Sequence, residues 1–74
     1  MEKISITTPF IRLDALLKFA ALVGSGGEAK SLIQEGAVLV GGEPCIQRGR
    51  KLYPGDRVTF DGRDYIVEVL GGAT

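Results

Sequence analysis

The sequence predicts an α+β fold, a helix pair packed against a small antiparallel sheet. Three observations carry that expectation. Apolar residues recur at helical spacing through Leu13, Leu16, Leu17 and Ala20; a Ser25-x-x-Glu28 helix start follows soon afterwards; and from Gly36 onward short apolar segments alternate with glycine turns. At 74 residues the chain suits one domain, 1–74, with a small core.

Met1 to Thr7 alternates, with Ile4 and Ile6 facing one way and Lys3, Ser5 and Thr7 the other, as in a half-buried strand. Thr8-Pro9 breaks that pattern. The first helix starts either at Leu13, where Asp14 suits the positive end of the helix dipole, or earlier, with Thr8 as cap and Pro9 as the first helical residue. Gly24 is expected to stop it. Ser25 and Glu28 then form a capping box, each side chain satisfying a backbone N–H at the helix start. Ala29, Leu32 and Ile33 supply the inward face of this second helix, and Gly36 ends it. A link this short requires the two helices to pack on each other.

Ala37 to Val40 reads as a strand that turns back at Gly41-Gly42, a pair suited to positive φ. The return strand from Glu43 contains Pro44, which cannot donate to a ladder, so it is an edge. Cys45, opposite Val38, reads as a small buried hydrophobe. Gln47 to Lys51 is a basic loop, and Pro54-Gly55 has the residue order of a type II turn. Arg57 to Phe60 and Tyr65 to Val69 pair around Asp61-Gly62, which sets Val58 opposite Tyr65 and places Val58, Tyr65 and Val67 on the inner face. Gly71 to Thr74 reads as a frayed end.

Composition excludes several chemistries. With no His and one Cys, the chain alone builds no zinc site, His-dependent triad or disulfide framework, and no metal or cofactor is expected. A lone thiol fits a reducing cytoplasm. No apolar run reaches the roughly 18 residues of a membrane span, and Glu2-Lys3 leading into an alternating strand is unlike a signal peptide. Asp56, Asp61, Asp64 and Glu68 sit at turns and alternate strand positions, with no pairing suited to acid–base catalysis. The expected work is binding.

The clearest binding candidate is Arg48-Gly49-Arg50-Lys51, a run of cations with no acid between Glu43 and Asp56. Guanidinium groups grip phosphate bidentately, and Gly49 lets the main chain approach closely. A solvated loop is the competing reading, and charge pattern alone does not separate the two. Gly24, Gly26 and Ala29 match a dinucleotide-binding spacing, but they follow a helix instead of a strand, and Glu28 repels phosphate. A tight interhelix turn is therefore the better reading. Arg12, Lys18 and Lys30 are either separate solvated cations or extensions of the loop's patch, and Lys18 is also spaced to pair with Asp14. Tyr53 beside Arg50 and Lys51 can stack on an unpaired base, although covering the core beneath the Pro54 turn is favoured.

Arg12-Leu13-Asp14, Leu16-Leu17, Ser25, Ala29, Leu32-Ile33 with Gly36, Val38 with Val40, Gly42 and Gly55-Asp56 together carry a family likeness. The chain resembles the RNA-binding domain named after ribosomal small-subunit protein four, also called the alpha-L RNA-binding motif. It is most similar to the free-standing bacterial branch, through Phe19-Ala20, Ser25-Gly26-Gly27 with Ala29-Lys30, and the ungapped run from Arg48 to Asp56. The likeness spans about residues 10–60. It implies a helix pair on a small, strongly bent antiparallel sheet and non-enzymatic binding of structured RNA, often ribosomal. By position it nominates Arg12, Ser25, Lys30, Arg48, Arg50 and Lys51 as RNA-binding residues. Three features depart from the family pattern: Ala37 or Leu39 where many relatives are basic, Gly41 where Asn is usual, and nine cations balanced by nine acids. That neutrality, with the edge strand at Pro44, points to a rival reading as a protein–protein interaction module of the ribosome or a regulatory complex.

Overall fold

Two buried stripes meet at the centre of the molecule, one from a helix pair and one from a sheet. The computed structural model describes residues 2–70, so the frayed end expected at Gly71 to Thr74 lies outside the described residues. In chain order the elements are β1 (Glu2–Ile6), β2 (Ile11–Arg12), α1 (Leu13–Phe19), α2 (Gly26–Gln34), β3 (Val38–Val40), β4 (Glu43–Pro44), β5 (Lys51–Leu52), β6 (Arg57–Phe60) and β7 (Arg63–Val69). Leu13, Leu16 and Leu17 of α1 and Ala29 and Ile33 of α2 are fully buried against Val38, Val58, Tyr65 and Val67 of the sheet, while Leu32 is half-buried at the margin. Ile4 and Ile6 complete the core from β1, as the alternation of that strand requires.

Five strands form the main sheet in the order β1-β7-β6-β3-β4. The register Val58↔Tyr65 follows the two-residue Asp61-Gly62 turn, with both turn residues at positive φ. Gly41 and Gly42 likewise turn β3 into β4, and β4 with Pro44 is an edge. One pairing departs from the antiparallel sheet expected: β1 runs parallel to β7, Ile4 opposite Val67, so the sheet is mixed. Two-residue turns dictate antiparallel neighbours, whereas β1 meets β7 across almost the whole chain and no local turn sets its direction.

The helix ends divide expectation from structure. Gly36, at φ +79°, closes α2 in a Schellman motif, in which the Gly36 and Ala37 N–H groups donate to the Ile33 and Leu32 carbonyls. Helix α1 ends the same way five residues before Gly24, the stop expected from sequence. Ala21 and Leu22 donate to Lys18 and Leu17, and Ala21 itself takes the left-handed conformation at φ +59°. Alanine carries no sequence signal for that role, since only the fold obliges it to adopt it. Helix α1 starts at Leu13, not at Pro9; Thr8 instead donates its hydroxyl to the Phe10 carbonyl at 2.7 Å. At α2 the Ser25 Oγ accepts from the Glu28 N–H at 3.2 Å, as the capping box requires. The return contact shifts by one residue, Glu28 Oε1 accepting from Gly24 N–H at 2.6 Å.

Candidate nucleic-acid interface

The segment read as a basic loop is fastened to the start of α1 by its own backbone. The Leu13 N–H donates to the Arg50 carbonyl at 2.9 Å and the Asp14 N–H to the Arg48 carbonyl at 3.0 Å. These are the N–H groups that a helix start leaves without partners. Ala15 N–H is met by Asp14 Oδ1 at 2.8 Å. Loop carbonyls thus occupy the positive end of the helix, and the side chains of Arg48, Arg50 and Lys51 are left exposed to solvent.

Immediately beside this junction, β2 and β5 form a two-stranded antiparallel ribbon, with Ile11 opposite Leu52 and Arg12 opposite Lys51. Strand alternation sorts its side chains. Leu52 is fully buried and Ile11 half-buried, so the ribbon's other face, carrying Arg12 and Lys51, looks outward. Continuing the register by one residue sets Phe10 across from Tyr53. Their ring centroids are 6.0 Å apart with a 52° tilt, and Lys51 Nζ lies 5.0 Å from the centre of the Phe10 ring. Two aromatics and two cations therefore share one small outward face.

Arg12 is the residue that joins ribbon and loop. Its Nε lies 3.8 Å from Asp14 Oδ1, and its guanidinium lies alongside Gly49, in the space that a side chain longer than a methyl would need there. The Asp14–Lys18 pair allowed by spacing is replaced by this Arg12–Asp14 pair. At the surface such a pair is weak and leaves the guanidinium free for other partners. The close approach permitted by Gly49 is thus filled by Arg12, where the sequence suggested a ligand's phosphate.

Of the nominated residues, the structure gathers Arg12, Arg48, Arg50 and Lys51 at one corner. Ser25 and Lys30 lie exposed on α2, Ser25 engaged as the helix cap, and no described contact ties either to the loop. Arg50 also borders a shallow concavity of about 500 Å³ with Arg57, Asp56 and Asp64, where cations and acids balance and no anion is favoured. Tyr53 is 49% exposed, which corrects the expectation that it covers the core. Its backbone is held instead by Asp56, whose Oδ2 accepts from Tyr53 N–H at 2.7 Å and whose N–H closes the Pro54-Gly55 turn on the Tyr53 carbonyl at 2.9 Å. Phe10 is the residue that sequence reading missed. The signal was present as Phe10-x-Arg12 and Lys51-x-Tyr53, the alternation of two strands too short to be recognised before their pairing is known.

Among the described residues no group of His, Cys, Asp and Glu is placed to hold a metal, and no helix is long and apolar enough to cross a membrane. Comparison with known families decides the class: the S4 domain matches residues 4–68. The chain belongs to the S4-domain family. The matched span contains both helices, the ribbon and the loop, and extends the likeness read from residues 10–60. This S4 domain is also 51% identical over 59 residues to a protein of Bacillus subtilis (strain 168) described as a probable ribosome maturation protein, RlbA. That alignment covers 80% of this chain and 83% of the relative.

Proposed function

We propose that this S4 domain binds structured, ribosomal RNA without catalysing a reaction, in the cytoplasm and in the service of ribosome maturation. The observation that carries the reading is the cationic corner itself, with Arg12, Arg48, Arg50 and Lys51 presented from a backbone that α1 and the ribbon hold in place. Long cationic side chains on a pre-ordered backbone lose less freedom when they grip phosphate than they would on a mobile loop. Ser25 and Lys30 extend the contact along the helix pair. Phosphate contacts supply most of the affinity, and the shape of the folded RNA sets preference. Zero net charge limits long-range attraction, so binding depends on this local patch. The family match and the name of the bacterial relative support the choice of a ribosomal target.

The test is a fluorescence-anisotropy titration of folded ribosomal RNA fragments at low and near-physiological salt, using the native chain and an Arg48→Ala/Arg50→Ala/Lys51→Ala variant. If those three cations meet phosphates, log affinity falls with log salt at a slope of about −2 to −3, and less steeply in the variant. Equal affinity and equal slope in both proteins would overturn the site assignment. A second reading, a protein-binding module, is favoured by an apolar groove where Phe19 and Leu70, each 62% exposed, flank Ile6 and Ile11. It predicts partner binding that survives both the triple substitution and ribonuclease.

A further inference from the structure

We infer that the Phe10–Tyr53 pair is a stacking site for one unpaired nucleobase, set beside the cations that hold the same nucleotide's phosphate. The inference rests on the RNA-binding reading and specifies which feature of the RNA is recognised. Four observations carry it.

Tyr53 is an aromatic side chain left 49% exposed although Leu52 beside it is fully buried. It is ordered before any ligand arrives: Asp56 fixes its backbone through two hydrogen bonds, and Phe10 braces its ring at a 6.0 Å centroid separation. The Phe10 ring has the Lys51 ammonium over it at 5.0 Å, so Tyr53 offers the more open aromatic surface of the two. Finally, Arg12 and Lys51 occupy the next cross-strand position on the same outward face. One residue pair along a ribbon is a step of about 7 Å on a given face, comparable to the separation between a base and its own phosphate. A rigid aromatic with adjacent cations matches a nucleotide displayed outside a helix, and every base has a face able to stack there. Double-stranded RNA keeps its bases stacked inside and offers nothing to such a site. The S4 domain is therefore expected to prefer RNA carrying a bulged or looped-out nucleotide over a continuous stem.

The experiment uses the full chain and two RNA hairpins with identical stems and the same compact tetraloop whose bases stack on one another, one stem continuous and one with a single bulged 2-aminopurine. Anisotropy reads affinity, and 2-aminopurine fluorescence, which is quenched by stacking, reads the base. The native protein should bind the bulged hairpin about tenfold more tightly than the continuous one and quench its fluorescence. Tyr53→Leu should remove both the preference and the quenching while keeping affinity for the continuous stem and its salt slope, and Tyr53→Phe should retain both. Circular dichroism of each variant confirms that the fold persists at this exposed position. Equal binding of the two hairpins by the native protein, or unaltered quenching in Tyr53→Leu, overturns the stacking site and leaves the RNA-binding reading standing. Absence of binding to either hairpin and to ribosomal RNA fragments at low salt overturns both. If Tyr53→Leu instead abolishes a ribonuclease-resistant association with purified ribosomal subunits, the occupant is a protein side chain and the nucleotide assignment fails.

Discussion

The Arg12 guanidinium sits against the backbone of Gly49, where an added Cβ would stand 3.4 Å from Arg12 Nη2. This contact links the two segments of the cationic corner, and a side chain longer than a methyl at position 49 would compete with it. A methyl group at that distance is tolerated, because the neighbouring atoms belong to the far end of a flexible side chain. Gly49→Ala should therefore leave stability within about 0.5 kcal/mol of the native value. Gly49→Leu should also fold, but it displaces the guanidinium and should lower RNA affinity several-fold. Thermal unfolding beside anisotropy titration checks both. Full affinity in Gly49→Leu would show that Arg12 acts independently of the loop.

The left-handed alanine at the end of α1 makes a sharper stability prediction. Ala21 at φ +59° and Gly36 at φ +79° hold the same position in two Schellman motifs. Relieving the Cβ strain while loosening the unfolded chain, Ala21→Gly should stabilise the protein by about 0.5–1 kcal/mol. Gly36→Ala should destabilise it by about 1 kcal/mol. Urea denaturation midpoints measure both, and a destabilising Ala21→Gly would contradict the assigned helix end.

Tyr65 is buried between helices and sheet, and its hydroxyl has no hydrogen-bond partner among the described residues. A buried hydroxyl without a partner has lost its water hydrogen bonds and gained none, so removing it relieves a penalty. Tyr65→Phe should therefore be neutral or stabilise by up to about 1 kcal/mol, the reverse of the usual loss when a bonded tyrosine hydroxyl is deleted. Tyr65→Ala opens a cavity and should cost about 3–5 kcal/mol. Calorimetric melting separates the two. A clear loss of stability in Tyr65→Phe would mean that the hydroxyl is bonded in solution.

Ser25 permits its structural and its proposed RNA-binding roles to be measured separately. As the α2 cap it accepts from Glu28 N–H. Ser25→Ala should cost about 1 kcal/mol of stability, whereas Ser25→Asp keeps a capping acceptor and should hold stability near the native value. The new carboxylate repels phosphate, so Ser25→Asp should bind ribosomal RNA several-fold more weakly if the helix pair contacts it. Native-like affinity in this stable variant would confine the interface to the ribbon and loop.

Much of the local structure is legible in the sequence because short-range chemistry dictates it. The Asp61-Gly62 and Gly41-Gly42 turns each fix a register, the Ser25 cap marks the start of α2, and Gly36 marks its end. Leu13, Leu16, Leu17, Ala29 and Ile33 face inward as their spacing predicts, while Ala20 and Leu32 of the same stripes are half-buried at the margin. The basic run from Arg48 to Lys51 was equally plain as charge, and the S4-domain likeness could be read from motifs at both ends of the helix pair.

The rest required the chain to be folded. The direction of β1 against β7 depends on residues distant in sequence, and neither it, nor the left-handed conformation of Ala21, nor the exposure of Tyr53 leaves a periodicity or a turn signature. The same holds for the site. Local chemistry along the chain suffices for the two helices, the hairpin registers, the core stripe and the presence of cations. Folding is what turns Phe10 and Arg12 outward beside Lys51 and Tyr53 and sets loop carbonyls, not a ligand, on the start of α1. A two-residue strand has no stability or pattern of its own. Its side chains acquire a common face only when its partner, some 40 residues away in sequence, is brought alongside by burial of the core between them.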